Sequence, residues 1–405
     1  MDTSNPFRSE IKLLLQAAMA VFLVTVIIGI LNGLDLVEFS RPTLLTHVHA
    51  GTLGWITMGV FAAALWLFSG ERRATPGQAR YVRWLSVVAV IAIALYVLAF
   101  FSNNATVRPV AGSLVLLVIL GFLVWVVLQV RHVSLTVPHL AVLAALTTLT
   151  IGAVLGVLLQ IRLAGGAQFL PAEAGGAHPS SLVTGYLILA GMAITEWGLS
   201  PRGAPASLSK LGIVQVALPF LGGLALMVGV LLDIFPLIIL IVPLQVVGTL
   251  IYLGRNGPRI VRVQWLRGDN SRLFGLSAIF LAVNVGIIAY LVANYADRIE
   301  EIPSWLIFAL DHSVFIGVMS NGLFGLVYEA SRAKRSFLPW VDHVLFWGMN
   351  VGLVGFVVGL ILQEAVIKQI FTPIMGTSIL LTMLVYTIRL QTQPKPEQVA
   401  MSNAA

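Results

Sequence analysis

The sequence predicts an all-α membrane protein with twelve transmembrane helices, arranged as three parallel repeats of four helices and with both termini in the cytoplasm. Three observations carry this prediction. The 405 residues are 58% hydrophobic and only 10% charged, which leaves too few charges to cover the surface of a soluble domain. The apolar runs are about twenty residues long, the length of a spanning helix rather than of a barrel strand. Histidines also recur at a nearly constant spacing near the start of three of these runs.

Twelve apolar runs, separated by polar residues or by glycine and proline, define the predicted helices. They lie near residues 11–33, 43–69, 81–102, 109–130, 137–161, 178–199, 210–232, 234–254, 271–296, 303–329, 339–363 and 368–390. Only Asp233 and Pro236 divide the seventh run from the eighth. We expect one membrane domain over residues 1–395, with repeats at about 11–130, 137–254 and 271–390. Residues 396–405 are polar and are expected to form a disordered tail.

The distribution of basic residues predicts the orientation. With the N-terminus in the cytoplasm, nineteen of the 24 lysines and arginines fall on cytoplasmic segments. The outer segments keep only Arg41, Arg108, Arg162, Arg298 and Lys368. This bias predicts a multi-pass protein of the cell inner (plasma) membrane. It also accounts for the net charge of +7, so we expect the lipid bilayer, and no nucleic acid, as a partner.

Four of the seven histidines are candidate ligands, and the chain has no cysteine that could compete with them. His47 and His49 begin the second predicted helix, His178 begins the sixth and His312 begins the tenth. All three helices run from outside to inside, so the repeat predicts that these histidines converge in the outer leaflet. Ionisable residues inside a membrane helix indicate a functional site. The other three histidines, His132, His139 and His343, lie on the cytoplasmic side.

His47 and His49 should serve two different cofactors. Residues two apart on a helix are separated by roughly 200° around its axis, so the two imidazoles point to nearly opposite sides. One metal would not normally take both as ligands. Two cofactors that flank the helix could.

Two stretches resemble the heme-copper oxidase subunit I superfamily, closest to the branch of the C-family (cbb-type) oxidases and nitric oxide reductases. The stretch His47-Val48-His49-Ala50-Gly51-Thr52-Leu53-Gly54-Trp55 resembles the tenth-helix motif of that family, and Asp311-His312-Ser313-Val314-Phe315-Ile316-Gly317 resembles its sixth helix. The resemblance implies a fold of twelve helices in three arcs of four. It also implies that His47 binds a high-spin heme, that His49 binds a low-spin heme and that His312 stands at the copper.

The resemblance leaves two arrangements open, because a tenth-helix motif lies on the second helix here. If the arcs are permuted, His178 pairs with His49 on the low-spin heme, and His312 lies beside the high-spin heme of His47. If they are not, His47 or His49 pairs with His312 around a low-spin heme, and His178 takes the copper position.

This chain has fewer candidate metal ligands than members of that family. The family's copper needs two adjacent histidines, which this chain lacks, so we expect copper to be absent or weakly held. The expected cofactor is one or two b-type hemes, held by His47, His49, His178 and His312, with Arg41 and Arg162 available to the propionates. No catalytic residue is assigned, and oxidoreductase activity of the oxidase or nitric oxide reductase kind stays undecided.

The predicted function is therefore electron transfer, or O2 or NO chemistry at heme near the outer face, with cytochrome c or a quinol as electron donor. Two alternatives remain. One is a heme or copper protein of nitric oxide stress of the NnrS type, which also has twelve helices and an early His-x-His. The other is a transporter without heme.

Overall fold

The computed structural model describes residues 5–69, 74–166, 168–201, 207–331 and 337–391. These residues contain no strand, and twelve of their helices are long and apolar enough to cross a membrane. The protein is thus a multi-pass helical membrane protein, as its composition predicts. Several basic residues used to orient the chain lie outside the described residues, as does the predicted tail 396–405; they are Arg72, Arg73, Arg202, Arg332, Lys334, Arg335 and Lys395.

The twelve helices are numbered in chain order. They are α1 (Arg8–Gly33), α2 (Arg41–Leu67), α3 (Pro76–Phe101), α4 (Val107–His132), α5 (Val137–Leu163), α6 (Ala174–Leu199), α7 (Lys210–Leu232), α8 (Phe235–Val261), α9 (Ser271–Tyr295), α10 (Ser304–Ala330), α11 (Val341–Ile361) and α12 (Ala365–Gln391). Each coincides with one predicted run. Most of the ends differ from the prediction by three residues or fewer.

The largest differences are the start of α3 and the end of α8. Helix α3 begins early because Thr75 and Gln78 form a capping box in front of its apolar run, with Pro76 in the first turn. Helix α8 continues past the predicted end through Gly257 and Pro258. Its last turns are held on α6, where Glu196 accepts hydrogen bonds from Arg255 at 2.8 and 3.0 Å.

The junction between α7 and α8 forms where the sequence predicts it. Asp233 adopts a left-handed conformation with φ of +52°, which ends α7, and Pro236 lies in the first turn of α8. Asp is one of the few residues that tolerate this conformation. The two helices then pack as an antiparallel pair.

Three helices form the centre of the bundle, and we call α2, α6 and α10 the inner helices. Their most apolar windows are 78%, 78% and 61% buried, against 33–50% for the other nine. They run in parallel, because their late segments also meet: Trp66 of α2 contacts Trp197 of α6 with ring centroids 5.2 Å apart, and Asn321–Ala330 of α10 packs against Met58–Leu67 of α2. Midway along the helices, two hydrogen bonds join them. Trp55 of α2 donates to Ser320 of α10 at 2.9 Å, and Tyr186 of α6 donates to Thr57 of α2 at 3.1 Å.

The other nine helices surround these three. Helices α3 and α4, α4 and α5, α7 and α8, α8 and α9, and α11 and α12 pack side by side, and α12 returns to pack against α1. Their outward faces carry large exposed apolar side chains such as Leu98, Leu117 and Val354. A lipid-facing surface requires such side chains, since a bilayer solvates no charges.

Each inner helix contains a π-helical segment that follows its histidines. The segments are Ala50–Thr57, Leu182–Leu187 and Ser313–Ser320. A π-helical segment widens a helix and is common at functional sites. The candidate histidines precede these segments on all three inner helices. We call the end of the bundle that contains them the histidine end.

Candidate functional site

His47 is anchored on the neighbouring helix α1. Its Nδ1 lies 2.8 Å from the backbone carbonyl oxygen of Thr25, and the Thr25 hydroxyl donates in return to the His47 carbonyl at 3.1 Å. One turn later along α1, Gly29 leaves room for the ring, since a Cβ there would lie 3.1 Å from His47 Cε1. The carbonyl and the glycine together fix the orientation of the imidazole.

His178 is held in the same manner by α5. Its Nδ1 lies 2.9 Å from the carbonyl oxygen of Gly152. Gly156 follows one turn later, and a Cβ at that position would lie only 2.7 Å from His178 Cε1. We call His47 and His178 the neighbour-anchored histidines.

His49 and His312 are instead anchored on their own helices. His49 Nδ1 lies 2.7 Å from the carbonyl oxygen of Leu45, and His312 Nδ1 lies 2.7 Å from that of Phe308, each one turn earlier. Each ring packs on an aromatic residue of the next helix. His49 stacks on Phe100 of α3 with centroids 3.9 Å apart, and His312 contacts Phe356 of α11 at 4.7 Å. We call this pair the self-anchored histidines.

The four hydrogen bonds fix the tautomer of the imidazoles. A carbonyl oxygen can only accept, so Nδ1 carries the proton in all four rings and Nε2 keeps its lone pair. Within the described ranges, none of the four Nε2 atoms has a hydrogen-bond partner. By contrast, both ring nitrogens of His139 are engaged, Nδ1 with Thr136 at 2.6 Å and Nε2 with the Leu67 carbonyl at 2.9 Å. Each of the four candidate histidines thus has an Nε2 lone pair available to a ligand, whereas His139 does not.

The fold brings the four histidines together as two pairs. His49 and His178 are near enough for their imidazoles to interact electrostatically, and so are His47 and His312. The two histidines of α2 point to different neighbours, as helical periodicity predicts, and each meets a partner from a different inner helix. Each pair contains one neighbour-anchored and one self-anchored histidine.

Arg108 is the cation next to the His49 and His178 pair. It lies in the first turn of α4 and is 9% exposed, with its guanidinium 4.7 Å from the centroid of Phe100, the ring on which His49 stacks. It donates to Asn103 at 2.8 Å, and its charge acts on His49. Its Nε is buried without a partner among the described atoms.

Arg41 and Arg162, the two arginines that the sequence analysis offered to heme propionates, do not share the placement of Arg108 beside His49. Arg41 is exposed at the start of α2, and Arg162 donates to the Leu170 carbonyl at 2.6 Å. No described contact joins either to a histidine of the site. Arg108 was one of the outer cations, but its proximity to His49 depends on how α3 and α4 pack and cannot be read from spacing.

The polar clusters at the opposite end of the bundle are structural. Asp342 accepts from Arg389 at 2.6 Å and from Tyr386 at 2.9 Å, and His343 lies 3.3 Å from Arg272. These groups neutralise one another and leave the four histidines as the candidate site.

Neither the protein-family models nor the curated proteins that were searched contain a match to this chain.

Proposed function

We propose that this chain is a heme-binding electron-transfer protein of the membrane, in which His49 and His178 supply the two axial imidazoles of a b-type heme. The observation that supports this most directly is the state of these two rings. The two rings are near enough to interact electrostatically, each is oriented by a backbone carbonyl at Nδ1, and each keeps an Nε2 without a hydrogen-bond partner among the described residues. Metal-ligating histidines have this second hydrogen bond in nearly all known sites.

The surroundings of the pair fit a flat, largely apolar group with acidic substituents. Gly156 makes room beside His178, and Phe100 and Tyr96 provide apolar walls beside His49. Arg108 supplies a buried positive charge with an unpartnered Nε, which suits a carboxylate such as a heme propionate. A heme bound in this way would supply one-electron redox chemistry.

The same observations support a heme-copper oxidase-like architecture of three parallel four-helix repeats. The inner helices are the second, sixth and tenth, which is one from each proposed repeat, and each carries a π-helical segment after its histidine position. One glycine in each segment, Gly54, Gly185 or Gly317, faces the helix that precedes the inner helix, at Val21, Thr148 and Phe280 respectively. The pairing of His49 with His178 favours the permuted order of arcs.

The bias of basic residues supports a location in the inner membrane, with both termini on the cytoplasmic side and the histidine end on the outer side. An electron donor, a cytochrome c or a quinol, would then reach the site from that side. Chemistry on O2 or NO would need a heme with one imidazole ligand and an open position. The coordination number of the heme, read from its absorption spectrum, distinguishes electron transfer from gas chemistry.

An absorption spectrum tests the proposal. The full chain, produced with a heme supply and purified in mild detergent, should show a Soret band and sharp reduced bands of a six-coordinate b-type heme. His49→Ala should convert this heme from six-coordinate to five-coordinate and remove its sharp reduced bands, because one axial ligand is lost. The control His343→Ala lies at the opposite end and should leave the spectrum unchanged. A protein without a Soret band, or sharp reduced bands that are lost in His343→Ala and retained in His49→Ala, would refute the site.

A further inference from the structure

The second pair, His47 and His312, repeats the construction of the first pair. His47 is neighbour-anchored on the Thr25 carbonyl with Gly29 one turn later, as His178 is on Gly152 with Gly156. His312 is self-anchored and packs on an aromatic residue of the following helix, as His49 does. Both Nε2 atoms again lack a hydrogen-bond partner in the described part of the chain.

The positions in the sequence agree with this equivalence. His47 and His178 each stand seven residues before the glycine of their π-helical segment, Gly54 and Gly185. His49 and His312 each stand five residues before theirs, Gly54 and Gly317. The two classes of anchoring therefore correspond to two fixed positions on the inner helices.

On the three inner helices these two positions occur six times, and histidine fills four of them. The remaining two positions show which contacts form where no imidazole is present. Leu310 stands seven residues before Gly317 and Ser180 stands five before Gly185. Asn284 donates to the Leu310 carbonyl at 3.0 Å, as Thr25 does to that of His47, but Ile288 occupies the place of Gly29. Ser180 donates to the carbonyl of Gly176, one turn earlier in its own helix, at 2.8 Å. At the neighbour-anchored position, a histidine and a glycine on the preceding helix therefore occur together in two inner helices and are both replaced in the third.

From this equivalence we propose that His47 and His312 form a second bis-imidazole heme site, so that the chain carries two six-coordinate hemes on opposite sides of α2 and no open coordination position. This proposal rests on the proposed function and extends it. The two sites share α2, in which Val48 alone separates their histidines. That arrangement suits electron transfer from one heme to the other at the same depth, and it leaves no place for a gas to bind iron.

The stoichiometry and the CO response of the intact chain test the second site. We expect two hemes per chain by pyridine hemochrome assay against amino-acid analysis, and no shift of the Soret band when CO is added to the reduced protein. One heme per chain would overturn the second site and leave the first intact. A CO shift in the wild-type protein would overturn the closed coordination, and a protein without heme would overturn the proposed function as well.

A variant pair tests the ligand assignment. In His312→Ala one axial position opens, so CO should shift the Soret band of half the heme, and added imidazole should abolish that shift. The matched control Ser180→Ala alters the third, histidine-free position and should leave both the stoichiometry and the CO response unchanged. If His312→Ala retains two hemes without a CO shift, His312 is not a ligand. If the wild type binds copper in place of the second heme by metal analysis, the second site is a copper site and the proposal is wrong.

Discussion

At the scale of single residues, the site depends on backbone carbonyls that point imidazoles in fixed directions. Each such bond is worth about 0.5–1.5 kcal/mol net, but its larger effect is that the Nε2 lone pair is already oriented before a cofactor binds. The position of the four histidines at one end of the inner helices and the divergence of His47 from His49 could be predicted from the sequence. Their tautomers and pairings could not, since the anchoring carbonyls of Thr25 and Gly152 belong to other helices.

Of the two glycines beside the histidines of the site, Gly156 leaves less room for an added side chain than Gly29. We expect Gly156→Ala to displace the ring of His178 and to reduce heme content, because the added Cβ would lie 2.7 Å from Cε1. Overpacking of this kind costs roughly 1–3 kcal/mol, which corresponds to roughly five- to 150-fold weaker heme binding if the whole cost falls on the bound state. Heme content per chain and the Soret band measure the effect.

Gly286→Ala is the matched control for that substitution. Gly286 also lies in a long helix, but a Cβ there would meet nothing within 4 Å. Its replacement should leave the heme signal unchanged and slightly raise stability through helix propensity, by about 0.5–1 kcal/mol. Equal heme content in the two variants would show that the cradle at Gly156 does not position the ligand.

At the scale of elements, the connection between α1 and α2 is fastened to α12. Asp35, in a left-handed conformation with φ of +55°, accepts from the Lys368 ammonium at 2.7 Å and from the Gln369 amide at 3.0 Å. These two donors, Lys368 first, lower the pKa of the Asp35 carboxyl below its usual value. The contact fixes the segment that leads into the histidines of α2.

This ion pair predicts a pH dependence of stability. A carboxyl with a lowered pKa stabilises the folded state above its unfolded pKa of about 3.9, and this contribution is lost as pH falls through the folded value. Because the Asp35 side chain is 48% exposed, the contribution is at most about 1 kcal/mol. Asp35→Asn, which tolerates the same backbone conformation, should melt a few degrees or less below the wild type at pH 7.

The difference between the two proteins should shrink as the pH is lowered below about 4, since the wild-type carboxyl then becomes neutral. Apparent melting temperatures in detergent, recorded at one scan rate from pH 3 to pH 7, give the comparison. A difference that persists undiminished at pH 3 would mean that the charge of Asp35 contributes nothing. The double variant with Lys368→Gln should show no further loss, because the pair is already broken.

The helices themselves could be predicted well because their cause is local. An apolar run of spanning length must satisfy its own backbone hydrogen bonds in a bilayer, so it forms a helix whatever its neighbours are. The errors occur where tertiary contacts decide, as at the end of α8, where Glu196 of α6 holds Arg255 and Asn256 beyond the last apolar turn. The π-helical segments could not be predicted, because they lie inside continuous apolar runs and do not interrupt them.

At the scale of the whole molecule, three buried helices inside a shell of nine explain why the chain carries its polar chemistry on α2, α6 and α10. An outer helix turns about half or more of its apolar surface outward, whereas an inner helix is mostly surrounded by protein, so an inner helix can hold polar side chains on more than one face. The recurrence of histidines predicted that these three helices lie together, and they do. The number of helices and their membrane character could thus be predicted, while the pairing of histidines and the place of Arg108 required the packed structure.

The central claim is that paired imidazoles from different inner helices hold heme, and a cryo-electron microscopy map of the chain tests it most directly. The protein should be produced with a heme supply and purified without chelators. The account predicts flat density that bridges Nε2 of His49 and Nε2 of His178, with Arg108 against its acidic edge, and a second such density between His47 and His312. A map of the folded protein in which no density bridges these imidazoles would contradict the account.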